Sequence, residues 1–203
     1  MDMKPRRALA ILTFVTLDGV MQAPAQPEED FSGDFKHGGW AKPYWDEVMA
    51  QVKEEAMAEP YDLLLGRRTY EIFKPHFSKS SDSDGDAAFL NKAKKHVATN
   101  SLKDLDWNNS VPINADVATG VTQLKAQDGP LLQVHGSWQL IQTLLANDLI
   151  DEFRLWTFPV FVGSGKRLFE QRPARYELTL VKTRATLNGV VMAIYRRGEA
   201  KRS

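Results

Sequence analysis

Three short segments each place small polar or basic side chains directly after an apolar strand pattern, two of them with a glycine, in a way that suits anion binding. In Leu63-Leu64-Leu65-Gly66-Arg67-Arg68-Thr69-Tyr70-Glu71 an apolar run ends at a glycine, and two arginines and a threonine open the next element. Gly66 permits a close turn, a helix start offers N–H groups without internal partners, and arginine adds fixed positive charge; together these suit a phosphate. A simple turn at Gly66 with two solvated arginines accounts for the same residues. Leu131-Leu132-Gln133-Val134-His135-Gly136-Ser137-Trp138 repeats the order strand, glycine, helix. Gly136 and Ser137 would stand at a helix N-terminus, able to cradle a pyrophosphate, and Ser137 could also cap its own helix. His135 by itself reads more readily as a hydrogen-bonded structural histidine than as a catalyst. In His96-Val97-Ala98-Thr99-Asn100-Ser101 small polar groups follow a strand. They suit hydrogen bonds to a ribose or 2′-phosphate, although Thr-Asn-Ser is also ordinary turn composition.

Other chemistries are excluded. Gly163-Ser164-Gly165-Lys166 has the look of a phosphate loop, but Val160 occupies the place of the required first glycine and Arg167 that of Ser/Thr. His37, His76, His96 and His135 show no short metal-ligand spacing, so no metal is expected. The chain has no cysteine, which removes disulfides, thiolate catalysis and Cys-based metal sites.

The elements that must position these segments follow from periodicity. Apolar β-rich runs alternate with helical patterns, which predicts parallel strands joined by crossover helices. Strands are expected at Ala8–Leu17, Tyr61–Leu65, Val97–Thr99, Leu131–Val134 and Phe153–Phe158. Pro43 suits a first helical position, and Trp45, Val48, Met49, Val52 and Ala56 then recur at helical spacing. A short helix at Thr69–Phe73 should stop before Pro75. Helices are also expected at Asp116–Ala126 and from Trp138 through Leu145. Ser78–Asp86 reads as a loop. Asn188-Gly189 predicts a hairpin joining Tyr176–Ala185 to Val190–Tyr195. The expected fold is therefore α/β, with a mixed, mostly parallel sheet flanked by helices and an antiparallel C-terminal hairpin. The 203 residues, with no visible linker, read as a single domain over 1–203.

Lys+Arg and Asp+Glu each number 26, a net charge of zero, so no excess of positive charge is on hand for a nucleic-acid backbone. The basic start before Ala8–Leu17 resembles a signal peptide, but that run contains two threonines, ends in Asp18-Gly19 and lacks a cleavage site. No apolar stretch approaches the ~20 residues that span a bilayer. A cytoplasmic protein without membrane partners is expected.

Taken together the segments resemble the dihydrofolate reductase-like superfamily. The nearer resemblance is to the reductase domain of the bifunctional riboflavin-biosynthesis deaminase/reductase and its stand-alone bacterial relatives. The residues that carry it are Thr16-Leu17-Asp18-Gly19, His37-Gly38-Gly39-Trp40, Leu64 through Glu71, Val134-His135-Gly136-Ser137, Leu149-Ile150-Asp151-Glu152 and Pro159 through Phe169. The resemblance implies a three-layer fold with NADP(H) lying across strand ends. It assigns the cofactor phosphates to Gly66, Arg67, Arg68 and Thr69, the 2′-phosphate to Thr99, Asn100 and Ser101, and the pyrophosphate to His135, Gly136, Ser137 and Trp138. Asp18 and Gly19 would border the nicotinamide, and Met21–Trp40 would form a loop over the site. The implied reaction is hydride transfer to a C=N or C=O bond of a small planar heterocycle or ribosylamino-pyrimidine.

Expectations for the acceptor side follow. Asp18, Trp40, Tyr44 and Trp156 are expected to line its pocket, with Asp18 or Asp46 as proton source. Trp40 and Tyr44 could instead staple the helix start to the core, and Asp46 could be a first-turn acid favoured by the helix dipole. Trp45 stands where a dihydrofolate reductase carries its acid, which argues against folate reduction. The aromatic run Phe153–Val162, with Trp156, Phe158 and Phe161, is expected to serve a homodimer through the C-terminal sheet, or else to fill one chain's core. A non-catalytic NADP(H) sensor and an interaction domain are the alternatives of other classes.

Overall fold

The computed structural model describes residues 7–79, 85–102, 104–170 and 177–198. Residues 80–84 of the expected loop, Tyr176 of the hairpin and both chain ends lie outside the described residues. Eight strands form one sheet in the order β4-β3-β2-β5-β1-β6-β8-β7. β1 (Leu9–Thr16), β2 (Tyr61–Gly66), β3 (Lys95–Ala98), β4 (Ser110–Ile113), β5 (Leu131–His135) and β6 (Glu152–Phe158) run parallel. β7 (Leu178–Ala185) and β8 (Val191–Arg197) add antiparallel at the far edge, as a hairpin and its partner β6 require. The mixed α/β architecture and the C-terminal hairpin are those read from the sequence.

The central strands are continuous apolar runs because helices cover both faces of the sheet. On one face Leu9 and Ile11, Leu64, Leu132 and Val134 pack against α4 (Val117–Lys125) and α5 (Trp138–Ala146). A second cluster joins Trp156 and Phe158 to Met49 of α1 (Glu47–Ala58). A third joins Leu63, Leu65 and Val97 to Met57 of α1, Tyr70 of α2 (Arg67–Phe77) and Leu90 of α3 (Gly85–Lys92).

Several boundaries differ from the sequence reading. Pro43 lies in a 3₁₀ turn, Lys42–Tyr44, and α1 starts only at Glu47, where the Asp46 carboxylate accepts from Met49 N at 2.9 Å. That cap decides the start, and Trp45 stays outside the helix, stacked on Trp156. α2 runs on through Pro75, whose missing N–H falls in an exposed last turn where water can serve the unpaired carbonyl. α3 begins at Gly85, inside the expected loop. β4 is an extra strand without an apolar run; Pro112 is tolerated because β4 is a sheet edge. Among the described residues, no helix is long and apolar enough to cross a membrane.

Candidate functional site

A cleft of about 900 Å³ opens at the carboxyl ends of β1, β2, β3 and β5. This is where ligands sit in open α/β sheets, and the size is within the range of small-molecule sites. All three segments reach its wall: Gly66, Arg67, Arg68 and Thr69; Thr99, Asn100 and Ser101; His135, Gly136, Ser137 and Trp138.

Two of these turns are locked together by one side chain. Ser137 Oγ accepts from Gly66 N at 2.9 Å and donates to Thr69 Oγ1 at 2.7 Å. Glycine at 66 permits the approach, since a Cβ there would meet Ser137 Cβ and Oγ at 3.3 Å. Gly136 and Ser137 both have positive φ, 68° and 65°, so the chain enters α5 through two left-handed residues, the second of them strained.

The consequence is a sorting of helix caps. α1 and α4 carry aspartate caps, Asp46 and Asp116. α2 and α5, whose starts line the cleft, have no side-chain cap. Ser137, the residue placed to cap α5, turns its hydroxyl to Gly66 and Thr69 instead. The first N–H groups of α2 and α5 thus lack a side-chain acceptor, and no capping carboxylate stands there to repel an anion. Arg67 donates to Ser101 Oγ at 3.0 Å, joining the first segment to the third, and Thr99 Oγ1 accepts from Ser101 N and Leu102 N to shape that turn.

His135 is oriented from behind. Arg154 donates to Gln133 Oε1 at 2.8 Å, and since arginine only donates, Gln133 must direct its amide N–H at His135 Nε2, 2.6 Å away. His135 therefore accepts at Nε2 and carries its proton on Nδ1. Its ring stacks on Tyr61, at 20° between planes. Arg154 is held in turn by Glu152, which also accepts from Arg196. Burial alone would raise the Glu152 pKa, but the hydrogen bonds from Arg196 and Arg154 outweigh it and hold the carboxylate below its ordinary value.

The structure places the residues expected on the acceptor side away from the cleft wall. Trp40 and Trp156 are buried in the second core cluster with Tyr44 packed against it, and none of the three is on the cleft wall. Phe158 explains this: Trp40 and Tyr44 both meet its ring edge-on, so they staple the approach to α1 onto the sheet. Asp46 is the α1 cap, and Asp18 and Gly19 also lie off the wall. Burial works to raise the Asp18 pKa, but hydrogen bonds from Thr16 and from the N–H groups of Gly163 and Val162 prevail and hold it down. Asp18 is thereby an ionised anchor for the turn after β6, a poor proton source. Phe158 and Trp156 fill the core, leaving Phe161 as the exposed aromatic of that run.

Gln22, Glu29, Asp30 and Lys166 are wall residues that the sequence reading did not single out, although the first three lie in the Met21–Trp40 segment expected over the site. Gln22, Glu29 and Asp30 belong to a strap, residues 21–32, stitched to the turn after β6, which carries Lys166. Gln22 Nε2 donates to Asp30 O and Ser32 O, Gln22 Oε1 accepts from Lys166 N at 3.0 Å, and Lys166 Nζ reaches Asp30 Oδ2 at 2.6 Å. Asp30 Oδ1 also faces Arg68 Nη2 at 3.3 Å, which ties the strap to α2. Burial pushes the Asp30 carboxyl up, but Lys166 and Ser32 hold it below the usual range. Glu29 differs: burial raises its pKa, and the N–H groups of Ala25 and Gln26, at 2.9 and 3.3 Å, only partly oppose this. No local motif marks these residues, and Lys166 sits in the segment rejected as a phosphate loop.

The fold is that of an α/β protein with a cleft across its strand ends, onto which two helices open without side-chain caps. Residues 7–192 match the family model of the RibD C-terminal domain, and the chain belongs to that family. It is similar to the uncharacterized protein YyaP of Bacillus subtilis strain 168, 32% identical over 136 residues, 66% of this chain and 72% of that protein. It is also similar to YwjB of the same organism, 26% identical over 125 residues, 60% of this chain and 66% of that protein. The same fold occurs in a putative riboflavin biosynthesis protein from Shewanella sp. PV-4, with a TM-score of 0.65 at 18% identity, covering 95% of this chain and 99% of the other. A pyrimidine reductase-like protein from Corynebacterium diphtheriae shares it with a TM-score of 0.59 at 11% identity, over 96% and 92% of the two chains. Membership of that family supports an oxidoreductase role, while the two solved structures show the shared fold.

Proposed function

We propose that the protein is a cytoplasmic NADPH-dependent reductase acting on a C=N or C=O bond of a small planar heterocycle of the ribosylamino-pyrimidine type. The observation that carries this is the cap sorting: the two helices that open on the cleft lack side-chain caps, and two arginines stand at the start of one of them. The residues fit a dinucleotide. Gly66 to Thr69 and the α2 start would take one phosphate, Gly136 to Trp138 and the α5 start the pyrophosphate, and Arg67 with Ser101 the 2′-phosphate. When bound, the reduced nicotinamide supplies the hydride. The chain's part is to hold the phosphates and to keep water from the acceptor. Leu12, Phe14 and Met21 give the cleft an apolar floor near the end of β1 for a flat ring.

The test is single-turnover oxidation of NADPH with a panel of acceptors that includes 5-amino-6-(5-phosphoribosylamino)uracil. Loss of the reduced-nicotinamide absorbance with one of them supports the reading. NADPH that binds but is never oxidised points to a sensor and overturns it. A homodimer belongs to the same proposal, supported by β7: a sheet-edge strand that exposes Leu178, Leu180 and Val181.

A further inference from the structure

Reduction of a C=N bond needs a proton at nitrogen as well as a hydride at carbon, and the acids expected from the sequence do not reach the cleft. Asp18 is anchored to Gly163 and Val162, and Asp46 caps α1. Two carboxyls do reach the wall, Glu29 and Asp30. Asp30 is occupied on both oxygens, by Lys166 on one and by Ser32 and Arg68 on the other. The Glu29 hydrogen bonds to Ala25 N and Gln26 N are both accepted by Oε2, which leaves Oε1 to carry a proton.

We propose that Glu29 is the catalytic acid of the cleft, donating its carboxyl proton to the acceptor. The inference rests on the reductase reading above. In the step, a hydride leaves the reduced nicotinamide and bonds to the acceptor carbon, and the C=N π pair takes the Glu29 proton to form N–H. The Glu29 O–H bond breaks, NADPH becomes NADP⁺, and the half-exposed carboxylate recovers its proton from water. The surroundings suit an acid that keeps its proton above the ordinary glutamate range. Burial leads, Asp30 on the same strap repels the ionised form, and His76 of α2 opposes both. Arg68 of α2 and Lys166 of the turn after β6, the cations beside the strap, are directed at Asp30.

Glu29→Gln isolates the acid role, because an amide oxygen can still accept from Ala25 N and Gln26 N and keep the turn. Carboxyl-labelled glutamate followed by NMR, wild type against Glu29→Gln, identifies the Glu29 resonance with and without NADP⁺. The expected midpoint lies above the ordinary glutamate value of ~4.3. A midpoint at or below it overturns the proposal. With NADPH and 5-amino-6-(5-phosphoribosylamino)uracil, Glu29→Gln should slow hydride transfer by roughly 10²–10⁴-fold with NADPH affinity unchanged, and Glu29→Asp should recover part of the rate. A Glu29→Gln rate within about threefold of wild type overturns it equally, on the scale of that expected loss. If wild type binds NADPH but leaves this acceptor intact, the reductase reading loses its substrate, while the midpoint still decides for or against Glu29.

Discussion

Ser137 carries two loads, and a pair of substitutions separates them. Its hydroxyl bonds Gly66 N and Thr69 Oγ1, and its backbone sits at φ 65° and ψ 62°. Ser137→Ala loses both bonds and keeps the left-handed backbone. At about 0.5–1.5 kcal/mol net for each bond, the cost is about 1–3 kcal/mol. Ser137→Gly loses the same bonds but relieves about 1–2 kcal/mol of left-handed strain. Glycine gives back about 0.5–1 kcal/mol of that through the entropy of the unfolded chain. The glycine variant should therefore be the more stable of the two by up to about 1.5 kcal/mol, although glycine usually destabilises relative to alanine. Urea unfolding with equal m-values measures both differences. An alanine variant as stable as wild type would refute the bonding argument, and one more stable than the glycine variant would refute the strain argument.

Three further outcomes are expected. Lys95 is buried with its ammonium donating to the carbonyls of Asn91, Ala93 and Asn108 and lying over the Trp107 ring, and burial lowers its pKa from 10.5 to about 8. Between those values the unfolded chain binds more protons, so stability should rise with pH there, and urea unfolding at both ends of the window should show the rise in wild type and not in Lys95→Met. Gly120→Ala places a Cβ 2.4 Å from Ile113 Cγ2. It should cost about 1–2 kcal/mol in thermal or urea unfolding, overpacking exceeding the gain in helix propensity. Light scattering at micromolar concentration should give a dimer mass for wild type and a monomer mass for Leu180→Lys, since a charge on an exposed sheet edge opposes pairing; a wild-type monomer would refute the dimer.

Much of the fold was legible because buried parallel strands are continuous apolar runs and the α5 face recurs at helical spacing. β4 was not, since an edge strand bearing Pro112 buries little and shows no period. α3 was hidden by its polar start. The residues of the three segments on the cleft wall were legible as polar groups directly after a strand, two of them with a glycine between, which is also how the backbone brings them to one cleft. The acceptor side was not. Trp40, Tyr44 and Trp156 are chemically suited to a pocket wall, but the contacts of Trp40 and Tyr44 with Phe158, and of Trp156 with Phe14 and Trp45, join segments distant in sequence, which no local pattern reveals. Glu29 and Asp30 likewise reach the wall only through the Gln22 and Lys166 stitching across 136 or more positions of sequence.

Calorimetric titration of the wild-type protein with NADPH and with NADH tests the central claim most directly. A charge-assisted arginine contact of about 1.5–3 kcal/mol predicts that NADPH binds roughly 10- to 150-fold more tightly than NADH, with most of the preference erased in Arg67→Ala/Arg68→Ala. Equal affinity for the two dinucleotides, or no binding of either, would contradict the account.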